Sequence, residues 1–189
     1  MNIFLLDLDQ ELCAQYHCDK HVVKMIVEYA QLLSTAHRLL DGKLETVAYI
    51  TKLGKNRTKT IYTLPDNREA ILYKATHANH PCAVWARTSL RNYQWLVSLL
   101  DNLCTEYTKR YGRVHKVQAS GLLKQLDRHP KAFRTPITNV LTDRPQTMPE
   151  QYKRPDPVDA YRAFYLGDKM RFAKWAYSET PPFVKEQYV

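Results

Sequence analysis

The longest regular pattern of apolar positions runs over residues 19–41. At about 100° per residue, Val22, Val23, Ile26, Ala30, Leu33, His37 and Leu40 fall on one face, with Met25, Leu32 and Leu39 nearly opposite. Only the arc holding Lys24, Gln31, Thr35 and Arg38 is polar. A helix apolar on two sides belongs at the centre of a bundle. Asp19 is the candidate N-cap, and Gly42 ends the pattern. A second pattern, Trp85, Tyr93, Leu96, Leu99, Leu100, Leu103, Tyr107 and Tyr111, predicts one long helix that starts at Pro81 and stops at Gly112. Asp66-x-x-Glu69 has capping-box spacing for a helix reaching residues 75–77. A shorter helix is expected over 117–126. Asp156-Pro157 opens a last helix to about Tyr177.

Alternation takes over elsewhere. Residues 2–8 (NIFLLDL) read as a short buried strand, followed by a helical turn over Gln10–Tyr16 capped by Asp9. Residues 45–63 alternate loosely around Gly54-Lys55-Asn56-Arg57, which predicts a basic β-hairpin. Residues 129–157 hold six prolines and read as a long basic loop. No internal repeat is present. The expected fold is mainly α: a single-domain helical bundle over 1–189, with a short N-terminal strand and a small β-hairpin.

Composition narrows the class. The chain has 189 residues, is 44% hydrophobic and 25% charged, and carries a net +9, so it can build a core and favours polyanionic or phosphorylated partners. The excess is concentrated. Residues 113–154 hold nine basic against three acidic side chains, and residues 43–63 five against one. None of the four cysteines forms a C-x-x-C pair, which removes zinc-ribbon and thioredoxin motifs. No apolar run approaches the roughly 20 residues of a membrane span. Residue 1 leads into an apolar run with no basic n-region before it. The expectation is a cytoplasmic protein with reduced thiols and no membrane partner.

Candidate chemistry gathers at two places. In His17-Cys18-Asp19-Lys20-His21, the two histidines are four apart and share a helix face if both are helical. That is a metal-pair spacing, and His17 and His21 are the candidate ligands of a divalent metal. The missing glutamate of H-E-x-x-H and the capping role of Asp19 favour a polar helix-entry network instead. The second place is His77-Ala78-Asn79-His80-Pro81, at a junction of two helices where side chains converge, or where His77 and Asn79 simply cap a helix end. Lys20 and Lys24 can face one phosphate. Glu28 either pairs with Lys24 or, desolvated beside His21, serves as an acid or base. His37 lies in the apolar stripe and reads as core. Arg87 and Arg91 flank Trp85 and Tyr93, where they can hold a phosphate beside a stacked base. No P-loop, dinucleotide fingerprint or nucleophile elbow occurs, so no cofactor is assigned.

Several stretches, MNIFLLD, QYHCDKHVVKMI, ILYKATHANHPCAVW, NYQWL, EYTKRYGRVHK and DPVDAYRAFY, resemble a family of small proteins encoded by tailed bacteriophages. The likeness runs over nearly the whole chain. It implies a phage setting and the host cytoplasm, and carries over neither an activity nor site residues. The leading expectation is an enzyme acting on a nucleotide or nucleic acid, hydrolytic or group-transferring. His17, Asp19, His21, His77 and His80 would line its pocket, with Glu28 sharing the proton work. Lys20, Lys24, Asn79, Arg87 and Arg91 would bind phosphate or base. The alternative is a non-catalytic DNA- or RNA-binding protein, or one that sequesters a phosphorylated signal or inhibits a host factor.

Overall fold

The computed structural model describes residues 1–134 and 139–186. Helix α1 (Gln10–Tyr16) starts where the Asp9 carboxylate accepts the Leu12 N–H, as its sequence predicts. Helix α2 (Asp19–Asp41) is the central element and buries most of its surface. The exposed ribbon β1 (Lys43–Ile50) and β2 (Asn56–Thr63) follows, antiparallel, with Tyr49 opposite Arg57 and Val47 opposite Lys59. Next come α3 (Arg68–Ile71), α4 (Pro81–Thr88) and α5 (Leu90–Tyr111). Two short helices, α6 (Lys116–Ala119) and α7 (Leu122–Leu126), precede α8 (Pro157–Phe164), a π-helical turn at Tyr165–Lys169 and α9 (Pro182–Lys185). Helix α2 packs on α5 and α4, and α1 packs on α5. The molecule is mainly helical with one small two-stranded sheet.

Several expectations need correction. Residues 2–8 have a buried apolar centre and bend at Leu6 and Leu8, and among the described residues they pair with no strand. Side chains satisfy the backbone instead: Tyr29 Oη accepts the Phe4 N–H, Cys13 Sγ accepts the Leu6 N–H and donates to the Phe4 carbonyl, and Arg162 donates to the Leu6 carbonyl. Asp19 is not an N-cap. Cys18 holds that position and Asp19 is the first helical residue. The predicted single helix from 81 to 111 breaks at Ser89, whose extended backbone and side chain cap α5. The helix after Asp66 is one turn long, because Asp66 turns to Arg68 and Glu69 accepts from the Leu64 N–H and Arg38. Gly121, at φ +78°, divides 117–126 into two helices. The last predicted helix ends early, in the π-turn.

The polar arc of α2 is also not what its residue types suggest. Arg38 is fully buried and donates to the carbonyls of Tyr62, Glu69, Leu72 and Tyr73 and to the Glu69 carboxylate. One guanidinium thus satisfies the backbone of the 62–73 connection, which has too little regular structure to satisfy itself. His37 sits in the core as expected, bonded to Tyr93 Oη at 2.8 Å and Arg68 at 3.0 Å. The four cysteines are free and buried. The proline-rich stretch 129–157 contains single turns at Lys131–Arg134 and Glu150–Tyr152, and its residues 135–138 lie outside the described residues. Among the described residues no helix is long and apolar enough to cross a membrane.

Candidate active site

The first turns of α2 build one wall of a cleft. His21, Lys24 and Glu28 recur at three- and four-residue steps and so share a helix face, with Lys20 beside them. All four line a cavity of 300 Å³. The chain start closes a second side through Met1, Asn2 and Phe4, and the segment after the π-turn closes a third through Lys169, Arg171 and Phe172.

At this cavity the amino group of Met1 lies 3.6 Å from Glu28 Oε2, while Lys24 Nζ holds Oε1 at 3.1 Å. The Glu28 carboxylate is 17% exposed, and an incompletely solvated carboxylate between two amines is placed to exchange protons with either. Three further cations line the same cavity: Lys20, Lys169 and Arg171. Lys20 Nζ stands 4.9 Å above the Phe172 ring. The wall is therefore positive, with aromatic faces and a single carboxylate.

His21 is held from below. Its ring packs on Phe4 at 4.6 Å and against Phe172 at 5.4 Å. Its Nδ1 is 2.6 Å from Tyr165 Oη, which also accepts the Cys18 N–H. With that oxygen already accepting, the phenol proton points at Nδ1, and the ring carries its own proton on Nε2. Burial, with the charges of His17, Lys169, Lys24 and Lys20 behind it, pushes the His21 pKa down to about 3. At neutral pH this histidine is a hydrogen-bond donor and not a cationic acid.

The other expected site residues are placed as follows. His17 is fully buried in the core, with Nδ1 donating to the Cys13 carbonyl at 2.7 Å and Nε2 facing Tyr29 Oη at 3.3 Å. Both ring nitrogens are engaged, and burial lowers its pKa to about 4. Its ring centroid is 6.4 Å from that of His21. Among the described residues no group of three or more His, Cys, Asp and Glu side chains could hold a metal ion. Asp19 turns away from the cavity, accepting from Arg110 at 3.0 Å and from the Ala176 N–H at 2.8 Å. His77 is exposed with φ +48° and meets Thr76 Oγ1, and Asn79 is exposed as well. His80 caps α4 through the Cys82 N–H. Burial lowers its pKa, and it does not line the cavity. Arg87 donates to the Ala78 carbonyl, and Arg91 lines a separate groove with Gln94 and Trp95. The structure thus brings together Lys20, His21, Lys24 and Glu28, and leaves the remaining candidates outside this cavity.

The residues that sequence reasoning missed are the Met1 amine, Phe4, Lys169, Arg171 and Phe172. An α-amine has no motif. The cluster 169–172 (Lys-Met-Arg-Phe) alternates charged and apolar residues, a signal hidden inside a helix expected to continue. A larger cavity of 590 Å³ lies between α5 and α7, but Asp101 and Asp127 oppose Lys124 there, a balance that repels phosphate.

Comparison with protein families gives a match over residues 1–119, to the family described as pyrimidine dimer DNA glycosylase. No curated protein matches the chain, and no solved structure does. The matched stretch contains the Met1 amine, Lys20, His21, Lys24 and Glu28, and the description of the family names an activity on DNA. A cationic cleft with an amine beside a carboxylate suits such an activity, and the match covers well over half of the 189 residues: this chain belongs to the pyrimidine dimer DNA glycosylase family.

Proposed function

We propose that this protein is a DNA glycosylase that removes a damaged pyrimidine from a pyrimidine dimer, using the α-amine of Met1 as nucleophile and Glu28 as the proton carrier. The observation that carries this reading is the 3.6 Å approach of that amine to Glu28 in a cationic cleft. As a class, α-amines lose their proton at lower pH than lysine amines, which makes them the better nucleophile near neutrality.

The chemistry balances with these two groups. The amine lone pair attacks the sugar C1′, and the C1′–N bond to the base breaks. Glu28 first takes a proton from the Met1 ammonium, which frees the lone pair, and hands that proton to the leaving pyrimidine, which keeps the bonding pair. Glu28 accepts a proton from the newly bonded amine nitrogen and passes it to the ring oxygen as the C1′–O4′ bond opens. The result is an imine between the amine and the opened sugar. Water then adds at C1′, frees the amine and leaves an abasic sugar. A base must leave the stack to be reached. A cavity of 300 Å³ is at the small end of ligand sites and suits one nucleotide unit. Phe4 and Phe172 offer it apolar faces, the neutral His21 offers a hydrogen bond, and Lys20, Lys24, Lys169 and Arg171 meet the flanking phosphates. A phage setting with action in the host cytoplasm fits this role, since the likeness is to phage proteins.

Glu28→Gln should reduce base release from a dimer-containing duplex by about 10²–10⁴-fold, while affinity for the duplex stays within a few-fold. A peptide extension on the amine should abolish release to the same degree. Intact mass identifies the first residue of the mature chain: Met1, or Asn2, which lines the same cavity. Full activity in both the Gln variant and the extended protein would remove the proposal.

A further inference from the structure

One cation outside the cleft is held in an unusual way. Arg144 is 7% exposed, and its guanidinium lies 4.0 Å from the centroid of Trp95 and 5.8 Å from that of Trp85. The two indoles meet edge to face. Among the described residues no carboxylate pairs with Arg144, and its Nε is buried without a hydrogen-bond partner. Asp143, the preceding residue, exerts only a coulombic pull, and burial lowers the guanidinium pKa. Arginine's ordinary value is so high that the group stays charged.

The surroundings are built to hold this side chain. Trp85 Nε1 donates to the Thr142 carbonyl. Thr142 exchanges two hydrogen bonds with Asn92, each of 2.9 Å. Tyr161 Oη donates to the Pro145 carbonyl at 2.6 Å. Arg144 opens onto a groove of 540 Å³ that it shares with Gln146, Lys153 and Arg154. Lys153 has Glu150 as a partner at 2.7 Å, and Arg154 donates to the backbone carbonyls of Gln151 and Lys153. A desolvated cation with an unused donor is costly to keep, and cation–π contact offsets only part of that cost. An anion at the groove would offset the remainder of that cost.

The same stretch leads to the cleft. Three residues beyond Arg144, Thr147 accepts from Asn2 Nδ2 at 2.8 Å and donates to Asn2 Oδ1 at 2.7 Å. Three residues of chain span at most ~10 Å, a few base-pair steps of ~3.4 Å.

We propose that the Trp85–Arg144–Trp95 stack, with Lys153 and Arg154 at its rim, is a phosphodiester-binding subsite that grips the DNA backbone a few nucleotides from the reacting sugar. The inference rests on DNA being the substrate. Arg144 is a binding residue that touches no reacting atom.

The test measures binding of a lesion-free duplex against salt concentration for the wild type, Arg144→Met and the rim double variant Lys153→Ser/Arg154→Ser, with thermal melting of each. Methionine keeps most of the packing and removes the charge. Arg144→Met should weaken duplex binding on the order of tenfold and lower the salt slope by about one. Its melting temperature should hold or rise, because an unpaired buried charge has gone. The exposed rim pair should lower the slope without touching the core. Wild-type affinity and slope in both variants, beside a wild type that binds duplex, overturn the subsite alone. A wild type that binds no duplex overturns the subsite together with the reading of DNA as substrate. Inorganic phosphate raising the wild-type melting temperature, but not that of Arg144→Met, with duplex binding equal in the two, makes this a site for free anions and also overturns the proposal.

Discussion

His17, His21 and His37 are buried and neutral for the same reason, yet they have different partners. Burial is the largest cause in each, and their pKa values fall to about 4, 3 and 4 from the ordinary 6.5. The unfolded chain takes up more protons than the folded one between those values and 6.5, so unfolding becomes easier as pH falls. Stability from these groups is fully present above pH 6.5 and is lost as pH drops toward 4, at up to ~1.4 kcal/mol per pH unit for each histidine. Urea midpoints should therefore fall steeply from about pH 7 to about pH 5. A midpoint that holds level or rises across that window would show these imidazoles to be charged in the fold. Of the three, only His21 touches the cleft. Its partner Tyr165 fixes which nitrogen bears the proton.

At the scale of elements, periodicity proved most informative where packing is repetitive. The turn capped by Asp9, the core placement of α2, Pro81 at a helix start, the left-handed stop at Gly112 and the basic hairpin all follow from local residue types. Boundaries failed where a side chain from elsewhere took over the backbone. Ser89 splits a helix whose apolar pattern runs on, and Arg38 replaces the helix predicted after Asp66 with a tethered connection. Half of the cleft was open to sequence reasoning, since His21, Lys24 and Glu28 share a helix face by spacing alone. The other half arrives through long-range closure by residues 1–4 and 169–172, which no local pattern encodes. Gly42 marks the join of α2 and the hairpin. A Cβ there would collide with the backbone oxygens of Arg38 and Thr63. Gly42→Ala should cost roughly 1–3 kcal/mol, read as a lower urea midpoint with an unchanged denaturant slope. Wild-type stability would mean that the junction yields at no cost.

Over the whole molecule, charge and core are separated. The helices α2, α4 and α5 form an apolar centre whose buried polar groups are nearly all paired. Cations collect on three surfaces: the cleft, the Arg144 groove and the exposed hairpin, where Arg57 and Lys59 share a face with Tyr49. The hydrogen bonds between Asn2 and Thr147 tie the chain start, which carries the proposed nucleophile, to the segment that carries Arg144. The proposed nucleophile and the proposed backbone subsite are therefore joined through one piece of structure.

In the proposed reaction the amine beside Glu28 bonds to the sugar. Borohydride reduces an imine to a stable amine, so treating the protein with a dimer-containing duplex and borohydride should give a covalent protein–DNA adduct. Peptide mapping by mass spectrometry should place that adduct on the N-terminal residue, and it should be lost when the amine is extended. An adduct on a lysine such as Lys24, or base release with no adduct at all, would rule out the N-terminal amine as nucleophile.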